Sequence, residues 1–232
     1  MAIPIPELAE RYERLSTPVV YDILDQMGYS GQALSSQLRP LALDMLVSGP
    51  AFTVEGRDFR PDEPSGVSSY QMFRAIVPGS VIIMAMNGHT LSAPWGENSS
   101  ITAQMRGARG IVMDGATRDV NATIALGFPT FCRLVTPVFA QGRYEITAYQ
   151  QEAQMPGQLG APVRVQPGDF VLADCDGIVI VPMGVVEEVL AAAERLETIE
   201  DRIRAALRGG EDREVVYQRY PKFAHVRKTH SI

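Results

Sequence analysis

Two short, wholly apolar runs constrain this chain most: Val81-Ile82-Ile83-Met84-Ala85-Met86 and Gly110-Ile111-Val112-Met113. An unbroken apolar run of this length reads as a strand buried on both faces, which needs cover on either side of the sheet. Between the runs, residues 99–109 can form one short helix with Ile101 and Met105 four apart. The chain leaves the second strand at Asp114-Gly115, a turn pair. An α/β architecture follows.

A helix and a returning strand carry the chain back on itself. Glu97, at the helix start, and Arg118-Asp119, just past the strand, are separated by twenty residues and should meet on one rim. A carboxylate pair suits a hard cation such as Mg²⁺, which keeps several waters and leaves positions for substrate oxygens. Arg118 adds a fixed cation able to fork onto a carboxylate or steady an oxyanion. These residues also admit a plainer reading, in which Arg118 and Asp119 form a surface ion pair opening the next helix and Glu97 complements a helix dipole.

Composition narrows the class. With 232 residues, 46% of them hydrophobic, and no apolar run near eighteen, the chain can bury a sizeable core and is not expected to span a membrane. A net charge of −6 argues against a nucleic-acid footprint. Two cysteines, Cys132 and Cys175, and three dispersed histidines, His89, His225 and His230, give neither a disulfide framework nor a zinc site. The start, Met1-Ala2-Ile3-Pro4, has no signal-peptide pattern, so the cytoplasm is the expected compartment.

One domain over residues 1–232 is expected, with N-terminal helices at 5–28, a core at 45–182, and a C-terminal helix and tail at 185–232. Thr17 reads as a cap with Pro18 at the first helical position and Gly28 as the stop. Residues 29–44 read as loop, and residues 45–54 as a strand broken at Ser48-Gly49-Pro50. A helix over 68–76 turns Tyr70, Phe73 and Ile76 inward, and another after Asp119 stops at Gly127. Residues 141–160 show no period. A hairpin joins 170–173 to 178–181 through Asp174-Cys175-Asp176-Gly177, which reads as a structural turn rather than a calcium loop. The longest helix, 185–208, buries Val185, Val189, Ala192, Leu196, Ile199, Ile203 and Leu207. Glu200 lies near that stripe, Glu197 further round and Glu194 on the far side. The loop over 57–64 could cover a pocket, with Arg57 or Arg60 free to meet a carboxylate. His89 could act beside Glu97 or be an ordinary loop histidine.

The run Gly96-Glu97-Asn98-Ser99, then Ala103 and Arg106-Gly107-Ala108-Arg109-Gly110-Ile111-Val112-Met113-Asp114-Gly115-Ala116-Thr117-Arg118-Asp119, resembles the RraA-like family and its class II pyruvate aldolases. These are the 4-hydroxy-4-methyl-2-oxoglutarate / 4-carboxy-4-hydroxy-2-oxoadipate aldolases, known from aromatic degradation. Leu15-Ser16-Thr17, Gly49-Pro50-Ala51-Phe52-Thr53-Val54, Pro78-Gly79 and Pro167-Gly168-Asp169 fall in the family's order, and the likeness spans residues 15–208.

The resemblance implies a layered, swivelling β/β/α fold with an extended C-terminal helix, assembled as a homotrimer or a hexamer with sites at subunit interfaces. It implies metal-dependent cleavage of a 4-hydroxy-2-oxo acid to pyruvate and a second carbonyl compound, and oxaloacetate decarboxylase activity through the same enolate. Mg²⁺ or Mn²⁺ would sit on Asp119 directly and on Glu97 through water. Backbone N–H groups of Asn98 and Ser99 would hold the substrate carboxylate, and Arg118 would stabilise the enolate. Glu200, or next Glu197, would reach a neighbour's site. Asn98-Ser99 departs from the paired leucines common in the family. The alternative is an RraA-type protein-binding regulator of a ribonuclease, without catalysis.

Overall fold

The computed structural model describes residues 3–63 and 66–229. Pro64, at the end of the 57–64 loop, and His230 therefore lie outside the described residues, as do Met1 and Ala2. Helices α1 (Ile5–Tyr12) and α2 (Thr17–Met27) open the chain, followed by β1 (Arg39–Pro40), β2 (Val47–Asp58), α3 (Ser69–Ala75) and β3 (Val81–Ala85). Next come α4 (Glu97–Met105), β4 (Gly110–Met113), β5 (Ala116–Thr117), α5 (Val120–Ala125), β6 (Thr130–Cys132) and β7 (Leu134–Val135). Strands β8 (Tyr144–Tyr149), β9 (Ala153–Met155), β10 (Val163–Val165), β11 (Phe170–Ala173) and β12 (Ile178–Val181) precede α6 (Val186–Arg208) and α7 (Arg213–Arg219).

The central sheet runs β1-β6-β4-β3-β2-β11-β12, with β8 also paired to β2. Strands β2, β3, β4 and β6 are parallel, whereas β8 and β11 meet β2 antiparallel. Side chains alternate across it, as a pleated strand requires. Val81, Ile83 and Val112 face a layer containing the β9–β10 pair. Ile82, Met84, Ile111 and Met113 face the opposite way, with Met72 of α3 and Ala103 of α4. The apolar runs are continuous because both faces are covered. A further cluster seats α1, α2 and α6 on β11 and β12 through Leu8, Tyr12, Leu24, Leu190, Phe170 and Val181. Each such fully buried large side chain contributes about 1.5–3 kcal/mol relative to exposure.

Several local expectations change. Strand β2 passes through Gly49-Pro50 unbroken. Neighbouring amides point to opposite sides of a strand; the Ala51 N–H reaches the Asp169 carbonyl at 2.7 Å, so the Pro50 nitrogen faces the side where pairing with β3 begins only at Ala51. The 141–160 stretch holds β8 and β9, and the 29–44 stretch holds β1. Tyr70 is 75% exposed, with Met72 buried in its place, and the Ile101/Met105 pair of α4 also faces outward, Met105 being 84% exposed. The cap of α2 is Ser16, without a side-chain bond, while the Thr17 N–H and hydroxyl both donate to Asp174. On α6 the buried stripe includes Val186, Leu190 and Ala193, while Val185, which precedes the helix, and Ala192, Ile199 and Leu207 are only partly buried. The tail after α7 packs back on its own chain: Phe223 and Val226 join the α1/α2/α6 cluster, and the Thr229 N–H donates to the Met27 carbonyl at 3.1 Å.

The hairpin β11–β12 forms as expected. The connecting turn is held by Asp174, whose Oδ1 accepts from the Thr17 hydroxyl and the Asp176 and Gly177 N–H groups, while Oδ2 accepts from the Thr17 N–H.

Candidate active site

The site lies beyond the carboxyl ends of β3 and β4, where open α/β sheets leave room for ligands. The loop after β3 is pinned first. The indole of Trp95 is buried and donates to the Ser100 hydroxyl at 3.0 Å, and the Trp95 carbonyl accepts from the Arg118 N–H at 3.1 Å and the Thr117 hydroxyl at 3.2 Å. These bonds bring the start of α4 against the end of β5. Gly115 fits the turn between β4 and β5 closely, since a Cβ there would lie 2.9 Å from the His89 carbonyl oxygen as well as against the Met86 side chain. Asp114, buried beside it, forms an ion pair with Arg133. Burial raises the Asp114 carboxyl above the usual range, and the Arg133 charge offsets part of the rise.

Asp119 occupies the left-handed backbone region, at φ 57° and ψ 40°. Few non-glycine residues do so, and aspartate is among those that tolerate it. The Glu97 N–H donates to Asp119 Oδ2 at 3.2 Å, and Arg118 Nε lies 3.5 Å from the same oxygen. Gly96 is required between them: a Cβ would come within 2.4 Å of Asp119 Oδ2 and 3.0 Å of the Arg118 Cγ. The Arg118 guanidinium carbon lies 4.9 Å from the Phe139 ring centroid, a cation–π contact that orients the side chain.

A depression of about 270 Å³ is lined by Pro94, Trp95, Asn98, Ser99, Arg118, Asp119 and Phe139, among others. The first i to i−4 bond of α4 joins the Ser100 N–H to the Gly96 carbonyl at 3.0 Å, so the N–H groups of Asn98 and Ser99 precede it and stay open to an anion. The Asp119 side chain is 42% exposed, Glu97 is exposed, and one Asp119 oxygen remains beyond the Glu97 bond. Hard carboxylate oxygens open to solvent beside a fixed guanidinium fit a divalent cation that retains waters.

The expected residues thus divide. Asn98, Ser99, Arg118 and Asp119 converge on the depression, and Glu97 joins them through its backbone N–H, its exposed side chain lying outside the lining. Glu200 and Glu197 do not join them within the chain: Glu200 pairs with Lys222 and, at 3.9 Å, Arg204, while Glu197 pairs with Arg204 at 2.5 Å. Glu194, expected on the far side of α6, binds Arg11 of α1 through two bonds of 2.8 and 2.6 Å. Arg57 is engaged by Glu145 at 2.9 Å and by Glu63, and Arg60 by Glu63 at 2.8 Å. Asp174, Cys175 and Asp176 lie close enough to offer a metal ligands. The Asp174 carboxylate already accepts four donors that shape the turn, which favours a turn role for that group.

Two sets of contacts escaped sequence reasoning, those of Phe139 and those of His89 with Asp58 and Ser92. Phe139 sits in an irregular segment, and no spacing ties it to Arg118. His89 is buried between Asp58, 2.5 Å from Nδ1, and the Ser92 hydroxyl, 2.7 Å from Nε2. The Ser92 N–H also lies 3.2 Å from Nε2. Ser92 is fully buried, and the trio ties the loop before Trp95 to the end of β2.

Layered sheets with an acidic and arginine-bearing rim define a β/β/α protein. The chain belongs to the RraA-like family, whose model, described as Aldolase/RraA, matches residues 17–180. It is 29% identical over 85% of its length, and 87% of the relative's, to a protein of Halalkalibacterium halodurans named putative 4-hydroxy-4-methyl-2-oxoglutarate aldolase. Protein DlpA of Legionella pneumophila is 28% identical over 93% of this chain, which spans about a third (34%) of DlpA's length. Among solved structures, Streptomyces coelicolor RraAS2, described as an unusual member of the RNase ES inhibitor RraA protein family, superposes with a TM-score of 0.77 at 28% identity, covering 88% of this chain and 99% of that one. An uncharacterised protein from Pseudomonas syringae pv. tomato reaches 0.78 at 27% identity, covering 93% and 99%.

Proposed function

We propose that the chain is a divalent-metal-dependent lyase that cleaves a 4-hydroxy-2-oxo acid to pyruvate and a second carbonyl compound, with oxaloacetate decarboxylation as a related activity. The observation that carries this reading is the convergence of Arg118, Asp119 and the open N–H groups of Asn98 and Ser99 on one depression. The aldolase name of the Halalkalibacterium relative supports it.

Asp119 and, through water, Glu97 would hold Mg²⁺ or Mn²⁺, which supplies Lewis-acid stabilisation of negative charge on substrate oxygens. The N–H groups of Asn98 and Ser99 receive the substrate carboxylate. Arg118, oriented by Phe139, faces the 2-oxo oxygen. A carboxylate acting directly or through water takes the C4 hydroxyl proton; the C3–C4 bond breaks, its electron pair forms the pyruvate enolate, and C4 becomes a carbonyl. Arg118 steadies the enolate oxygen, and protonation at C3 completes pyruvate. Glu200, or Glu197, from a neighbouring copy in a trimer or hexamer, is the proposed proton-transfer group. The test is pyruvate release from 4-hydroxy-4-methyl-2-oxoglutarate and from oxaloacetate, with Mg²⁺ and with EDTA. Metal-dependent release from either, above the rate with the metal alone, supports the reading; protein-dependent release that survives EDTA refutes the metal site.

A second reading, a protein-binding regulator without catalysis, is favoured by the likeness to RraAS2. It predicts partner binding that survives Asp119→Ala, together with no metal-dependent pyruvate release.

A further inference from the structure

A larger cavity adjoins the proposed site. It encloses about 540 Å³, within the range of small-molecule pockets, and its wall shares Pro94, Trp95 and Ser99 with the depression that holds Arg118 and Asp119. Its remaining wall sets the apolar side chains of Met72, Phe73, Met84 and Ile146 beside polar groups that include Ser68 and the buried Tyr144 hydroxyl. Phe73 and Trp95 pack with ring centroids 5.7 Å apart, so an aromatic pair stands where the two spaces meet.

The charges in this cavity are one-sided. Among the described residues lining it there is no Lys, Arg or His, while Glu145 contributes a carboxylate. That carboxylate accepts from Arg57 at 2.9 Å and from the Gly66 N–H at 3.0 Å, so the nearby Arg57 is already committed, to it and to Glu63. A second substrate carboxylate placed here would meet an anion and no free cation; the hydroxyl and amide donors of the wall can bond it but bring no positive charge to offset its desolvation. An uncharged ring or branched alkyl group would instead leave water for an apolar wall, at roughly 25 cal/mol for each Å² buried.

We propose that the cavity is the subsite for the group on C4 of the substrate, and that this group is uncharged and apolar, of about phenyl or branched-alkyl size. The second product is then an aldehyde or ketone bearing that group, rather than an oxo acid. The inference rests on the oxo-acid lyase reading and fixes its substrate class.

Trp95, the only tryptophan in the chain, borders both spaces and reports on their occupancy by its fluorescence. With Mg²⁺ present, the protein is titrated with pyruvate, 2-oxoglutarate and 2-oxo-4-phenylbutanoate, the last two lacking the C4 hydroxyl and so resisting cleavage. The phenyl acid is expected to bind about tenfold or more tightly than 2-oxoglutarate. Ser69→Leu, at an exposed wall position, and Ala140→Leu, deeper in the wall, should each erase that preference and leave pyruvate binding unchanged. Equal binding of the two longer acids, tighter binding of 2-oxoglutarate, or a preference unaffected by both variants overturns the subsite while the lyase reading stands. Failure of pyruvate itself to bind overturns both.

Discussion

Asp119 Oδ2 accepts the Glu97 backbone N–H at 3.2 Å, joining the turn after β5 to the first residue of α4. One oxygen of Asp119 is thereby spent on positioning and the other is left for a ligand. The left-handed backbone at Asp119 and the bare Cα of Gly96 are the conditions for that bond.

Gly96→Ala should therefore act on the site rather than on the fold. A methyl 2.4 Å from Asp119 Oδ2 must push the carboxylate or Arg118 aside. A displacement near 1 Å at a reacting centre costs roughly 100-fold in rate. Pyruvate release should fall by about that factor with a cooperative melt retained. Unchanged activity would show that the Glu97–Asp119 bond is dispensable.

Arg133→Met should destabilise the chain and make its stability depend on pH. Without the guanidinium, buried Asp114 keeps its desolvation penalty and loses the term that offsets it. Its carboxyl, already raised, rises further. The folded state then binds a proton at pH values where the unfolded state does not, so stability falls as pH climbs from the ordinary carboxylate range through the folded value. Denaturant melts should show a loss of about 2–4 kcal/mol at neutral pH, shrinking toward pH ~4. A loss that is the same at both ends would contradict the pairing.

The two thiols should separate cleanly. Cys175 is exposed in the β11–β12 turn, whereas Cys132 is buried, and burial pushes its thiol up to about 11. A disulfide reagent at neutral pH should modify Cys175 promptly and Cys132 only on unfolding, because the thiolate is the reactive species. Two fast-reacting thiols in the folded protein would contradict the burial of β6.

Leu190→Ala removes a fully buried side chain between α6 and the β11–β12 face. The expected loss is about 2–5 kcal/mol of unfolding free energy, measured by chemical denaturation. A loss below ~1 kcal/mol would mean that α6 is held by something other than this packing.

Much of this was legible where the signal is local. The runs at 81–86 and 110–113 are apolar throughout because both faces of the strands are covered, and a turn pair ends the second one. The rim formed by Glu97, Arg118 and Asp119 followed from that reading, because a helix and a strand of known length return the chain to its start. Strands β8 and β9 were hidden. Tyr144, Ile146 and Ala148 of β8 do alternate with Glu145 and Thr147, but the period lasts only a few residues within a glutamine-rich stretch, and the strand is defined by pairing with distant β2. Tyr70 was misplaced because helical spacing identifies a face without identifying what lies opposite it. Lys222 meets Glu200 only because the tail folds back along α6, a tertiary event with no periodic signature. The same holds for Arg118 on Phe139 and for His89 between Asp58 and Ser92.

The central claim is that this rim stabilises a pyruvate enolate. It is tested most directly by following the exchange of pyruvate methyl hydrogens for deuterium by proton NMR in D₂O, with no second substrate present. Wild-type protein with Mg²⁺ should exchange them well above the buffer rate, and Asp119→Ala, Arg118→Met and added EDTA should each return the rate to background. Exchange that persists in both variants, or wild-type protein that never exceeds buffer while binding pyruvate, would contradict the account.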